Sequence, residues 1–111
     1  MIMDLYIKEF SKTPGVRTPE EGDASGFKYR TEILEPKFKE AEENNEKLNV
    51  HLDGTLAFAT SFLEEVFGGL VRAFGLRKVK NRLNIISTQR PFYIDDINEY
   101  MEDAEKNSGE D

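Results

Sequence analysis

One histidine, no cysteine and two adjacent hydroxyls at the head of an apolar stretch are the residues with which this 111-residue chain could do chemistry. His51 lies within Leu48-Asn49-Val50-His51-Leu52-Asp53, two residues before a carboxylate. A histidine and an aspartate can act as a base pair or begin a metal site. A base needs a proton to abstract within hydrogen-bond reach, and zinc needs three or four ligands. No further ligands stand at a suitable spacing, and without cysteine both Cys-His chemistry and thiolate metal binding are closed. His51 therefore reads as a surface or core-edge side chain, and the chain as noncatalytic, without metal or cofactor. The acids Asp95, Asp96, Glu99, Glu102 and Asp103 read as the solvated face of a helix.

Two other groupings carry more information. Thr60 and Ser61 precede an amphipathic run, and Glu64 stands three residues after Ser61, the spacing of a capping box with Ser61 as N-cap. The same hydroxyls could accept phosphate, which adds about −1.5 to −2 charges. A helix start favours an anion, whereas Glu64 and Glu65 oppose it. The second grouping is the stretch Ser11–Gly26, punctuated by Pro14-Gly15, Pro19 and Gly22. Arg17, Ser25, Gly26 and Arg30 could hold a small anion or nucleotide there, because the N–H groups that open a helix bind anions. The alternative is a structural loop with Arg17 and Arg30 in internal hydrogen bonds. No Gly-Lys-Ser/Thr closes it as a P-loop would, and the spacing is not that of a dinucleotide fingerprint.

The elements that position these residues follow from periodicity. Met3–Phe10 alternates as a first strand, and Leu48, Val50 and Leu52 alternate as a second that ends at Asp53-Gly54. Leu56 to Ala59 is apolar enough to pass beneath the surface. Phe62, Leu63, Val66, Phe67, Leu70, Val71 and Phe74 form one helical stripe that stops at Gly75. Glu64, Glu65, Gly68 and Arg72 fall on its other side. Gly68 and Gly69 each cost about 1 kcal/mol in a helix, so something approaches the backbone there, either a neighbouring element or a partner protein. Phe27–Asn44 is helical but interrupted at Pro36, with Ser25 as cap and the break splitting it in two. Leu76–Arg82 is a helical turn or loop, Leu83–Ser87 a strand, and Ile94, Ile97, Met101 and Ala104 mark a last helix. The pattern predicts an α/β or α+β fold, a single small mixed sheet with packed helices over residues 1–106, followed by a disordered acidic tail at 107–111.

A net charge of −7 and a pI near 4.8 argue against nonspecific nucleic-acid binding. The basic cluster Arg77, Lys78, Lys80 and Arg82 is local. Neither a signal peptide nor a run long enough to span a membrane is present, so a cytoplasmic location is expected.

Three patches together resemble a family. Phe10-Ser11, Pro14-Gly15, Arg17, Gly22, Ser25-Gly26 and Arg30, followed by Ile33-Leu34 and Pro36, are similar to the N-terminal half of the STAS-like bacterial domains of unknown function. Thr60 to Leu70 resembles the central strand-to-helix motif of that family, and Leu83 to Ser87 its late strand. The better understood relatives are the anti-sigma-factor antagonists, in which a serine at the start of the central helix is phosphorylated by a kinase of the histidine-kinase-like ATPase fold. The resemblance implies a STAS-like fold and a regulatory, protein-binding role with such an ATPase as partner. It carries the phosphosite to Thr60 or Ser61. The expected partner-binding surface is the start and exposed face of the Thr60–Phe74 helix, at Glu64, Glu65, Gly68, Gly69 and Arg72, with the Ser11–Gly26 loop beside it. Ala59 or Thr60 stands where the antagonists carry aspartate.

Overall fold

The computed structural model describes residues 2–108. Three strands, β1 (Ile2–Tyr6), β2 (Lys47–His51) and β3 (Leu83–Ile86), pair in the order β1-β2-β3. Both ladders are parallel, so the sheet is not mixed as expected. The reason lies in the connections: each strand reaches its neighbour through a helical crossover and none through a hairpin, and a crossover returns the chain in the same direction. Register aligns Leu5 with Val50 and Val50 with Ile85 on one face, and Asp4 with Asn49 and Asn49 with Asn84 on the other. The first face is buried or half-buried; the second is polar and largely open. All the helices therefore cover one side, making a two-layer α/β fold. β1 is shorter than predicted, because Ile7–Glu9 coil into a 3-10 turn that carries Ile7 into the core.

Four helices form the second layer. The first, α1 (residues 26–44), is one rod and not two. It runs as Gly26–Tyr29, a widened turn over Arg30–Leu34, then Glu35–Asn44. Pro36 has no N–H to donate and its ring would strike the carbonyl of Glu32. In the widened turn just before it, the Glu35 N–H reaches back to the Arg30 carbonyl, an i to i−5 bond that opens the helix without breaking it. Ser25 caps α1 as predicted, its Oγ accepting from the Lys28 N–H at 3.1 Å. Asn45, left-handed at φ 54°, ends it.

Helix α2 (residues 60–74) likewise runs as Thr60–Leu63, a widened turn over Glu64–Gly68, then Gly69–Phe74. Its predicted stripe is the core: Phe62, Leu63, Val66, Phe67, Leu70 and Val71 are buried against Ile7, Tyr29, Leu34, Phe38, Leu48 and Val50. The cap is not Ser61. Ala59 occupies that position, its carbonyl accepting from the N–H groups of Phe62 and Leu63 while its own N–H donates to the Pro14 carbonyl. Gly75 ends the helix at φ 91°. Helices α3 (Leu76–Arg82) and α4 (Phe92–Ser108) complete the layer, with Ile97, Met101 and Ala104 packed inward. α4 runs through Asn107 and Ser108, where the acidic tail was expected to begin; residues 109–111 lie outside the described residues. Among the described residues no helix is long and apolar enough to cross a membrane.

Candidate functional site

The two groupings singled out in the sequence meet in one place. Arg17, from the loop, donates through Nη1 to Glu64 at 2.6 Å and to Glu65 at 3.1 Å. Arg30, from the widened turn of α1, donates through Nη2 to Glu65 at 2.7 Å and through Nη1 to Glu35. Its Nε donates to the backbone carbonyl of Glu65 at 3.1 Å, inside the widened turn of α2. Arg72 returns to Glu64 at 2.8 Å. Three arginines thus face three glutamates, and formal charge cancels. Arg17 and Arg30 already have carboxylate partners, so the residues expected to hold an anion are engaged within the fold. Ser25 is fully buried as a cap, and Gly26 sits where a Cβ would come within 2.9 Å of the Phe62 carbonyl oxygen. The loop reading with internal hydrogen bonds accounts for all four.

This geometry also explains Gly69. A Cβ there would fall 2.7 Å from Arg30 Cδ and closer still to its Nε, so Gly69 is the gap through which the arginine crosses the helix. Gly68 is buried as well. The approach inferred from the Gly-Gly pair is therefore made by a neighbouring element. Of the five residues assigned to a partner surface, Gly68 and Gly69 are buried, Glu64 and Glu65 are half-buried in the network, and Arg72 alone is exposed. Burial pulls the Glu64 carboxyl upward, but the hydrogen bonds from Arg72 and Arg17 outweigh it and hold the group below its ordinary value of 4.5.

The start of α2 is presented by two loops joined to each other. Asp53, after β2, accepts from the Thr88 and Gln89 N–H groups at 3.1 and 2.9 Å, and Leu52 donates to the Ile86 carbonyl. Arg90 donates to the Thr55 carbonyl. The hydrogen bonds from Gln89 and Thr88 keep Asp53 below its ordinary range. Thr60 is exposed at this edge, and Ser61 is half-buried one residue further on. Leu56 does not pass beneath the surface as expected; it is 66% exposed, and Thr55 is buried in its stead, its hydroxyl donating to the Leu52 carbonyl. Phe58 meets Tyr93 edge-on at 5.2 Å, and Tyr93 meets Phe92, which is 55% exposed. Phe58 also meets Phe62 at 6.0 Å, so the ring row runs to the helix start, which periodicity alone did not reveal.

His51 lies on the open sheet face, stacked on Tyr6 at 4.2 Å with its Nε2 2.8 Å from Asp4 Oδ1. That bond and one from Asn49 draw the Asp4 carboxyl below its usual range. Asn84 continues the row by donating to Asn49. The pairing depends on strand register, so spacing pointed to Asp53 and missed Asp4.

A two-layer α/β domain with a parallel sheet and a loop-held helix start at the carboxyl ends of its strands defines a class of small α/β modules. The chain belongs to the family described as STAS-like domain of unknown function (DUF4325), which matches residues 25–91. That span begins at the Ser25 cap and contains both widened turns, β2 and β3. Comparison with curated proteins and with solved structures found no match.

Proposed function

We propose that this chain is a noncatalytic regulatory module that docks another protein, a histidine-kinase-like ATPase, at the start of α2, and that Thr60 is the residue phosphorylated there. The observation that carries the reading is the ring row Phe92, Tyr93 and Phe58, which starts at a ring 55% exposed and ends on Phe62 at the start of α2, where Thr60 is exposed. Large apolar side chains held out in water mark interaction surfaces when they gather. Family membership supports a regulatory module, and the resemblance to antagonists supports the class of partner. Two features favour Thr60 over Ser61: it is the more exposed, and Glu64 and Glu65, which would repel phosphate, are neutralised by Arg17, Arg30 and Arg72. Partner contact is made by Leu56 and Phe92, with the network of Arg17, Arg30 and Arg72 as scaffold.

The test is reconstitution with the histidine-kinase-like ATPases of the source genome, reading complex formation and phosphate transfer from ATP. The expected result is phosphate on Thr60 by mass spectrometry, abolished in Thr60→Ala and kept in Ser61→Ala, with complex formation lost in Leu56→Asp. Absence of both complex and phosphate with every such ATPase would overturn the reading.

A further inference from the structure

A cleft of about 470 Å³ opens between the end of β1 and the first turns of α1, within the size range of small-molecule sites. Its rim carries three carboxylates, Glu9, Asp23 and Glu32, and one ammonium, Lys28; none of the four makes an ion pair or a side-chain hydrogen bond among the described residues. Phe10 and Tyr29 supply an aromatic wall, their rings edge to face at 5.1 Å. Tyr29 is the unusual member. It is 1% exposed, and its hydroxyl has no hydrogen-bond partner. A buried hydroxyl without a partner is uncommon in a folded protein and calls for a ligand or water. The hydroxyl feels the carboxylate of Glu9, which lines the same cleft, and burial with that charge keeps it protonated.

We propose that this cleft binds a small aliphatic diamine. An ammonium N–H donates to the Tyr29 Oη and to Glu9, while its charge sits against the aromatic wall, where cations are attracted to the ring face. The second ammonium is held by Glu32 and Asp23. The rim has a net charge of −2, counting its three carboxylates and one lysine, which matches a dication and disfavours the anions considered from the sequence. The site is independent of the protein-binding reading and takes the opposite charge to a phosphate.

The test uses the full chain and 1,4-diaminobutane as probe, with 1,4-butanediol as its neutral isostere. Saturable thermal stabilisation by the diamine at millimolar concentration, absent with the diol, is expected. Glu9→Gln with Glu32→Gln should weaken binding by about tenfold or more, and Tyr29→Phe, which keeps the ring, by roughly fivefold. Both substitutions leave the core packing intact, and circular dichroism of the variants verifies that they fold. No saturable shift with the diamine, an equal shift with the diol, or unchanged affinity in the double Gln variant would each overturn the proposal.

Discussion

Arg30 is the side chain on which most of the site depends. It reaches from one widened turn into another, and its side chain is only 15% exposed. Replacing it with methionine would keep the apolar stem but strand Glu35 and Glu65 without their cation. Removing one partner of a buried pair costs about 3 kcal/mol or more, so Arg30→Met should lower the melting temperature by about 12 °C or more. Gly69→Ala should destabilise by about 1–3 kcal/mol although alanine is the better helix former, because the new methyl displaces the Arg30 stem. The two effects should be non-additive, and a double-mutant cycle in urea would measure the coupling. Gly68→Ala should cost less than Gly69→Ala, since only the carboxylate end of Glu64 and the end of Arg72 must shift, not a side-chain stem that crosses the helix. Acid acts on the same network. Glu64 is held below 4.5 and Asp53 below 3.8 in the folded chain. A depressed carboxyl stabilises above its unfolded value and loses that contribution as pH falls through the folded one. Melting temperature should therefore fall below about pH 4.5, and Glu64→Gln should flatten part of that acid limb.

The helix starts make a sharp contrast. Ser25 caps α1 and is fully buried, so Ser25→Ala should cost about 1 kcal/mol or more. Ser61 lies one residue inside α2 and its side chain accepts no capping bond there, so Ser61→Ala should change stability by less than about 0.5 kcal/mol. Thermal melts of the two variants side by side would check both. The capping-box spacing was misleading because Glu64, the residue that would complete the box, is drawn to Arg17 and Arg72. Periodicity found β2, β3, the α2 stripe and the Ser25 cap, since each of these depends on neighbours in the chain. It could not find the parallel register, which is set by how helices pack, nor the pairing of His51 with Asp4 across two strands. The widened turns add one residue to a helix, and the traces they left were Pro36 after the first and Gly68-Gly69 at the second.

The surface divides by function more sharply than the chain does. One face of the sheet carries the helices, the other a polar row from Asp4 through Asn49 to Asn84. Leu56 and Phe92 each follow the carboxyl end of a strand, β2 and β3, the side where α/β folds place their ligands. Because both side chains are largely exposed, Leu56→Asp and Phe92→Asp should each leave stability within about 0.5 kcal/mol of wild type, and on the proposed reading they should still abolish retention by an ATPase partner. Denaturant melts and pull-down of the two variants would separate those effects.

The strand order also governs how the chain must reach its native state in time. Asn49 bonds to a partner 45 residues earlier in the chain and to another 35 residues later. No hairpin exists among the described residues to seed the sheet, and each ladder closes only after an entire helix has been gathered into its loop. Such closures are slow, and topologies dominated by them fold in milliseconds to seconds where helical bundles take microseconds. The Arg30 crossing offers no shortcut: it joins α1 to Glu65 across 35 residues, the same separation as Asn49 from Asn84, so helix docking and strand pairing are closures of equal reach.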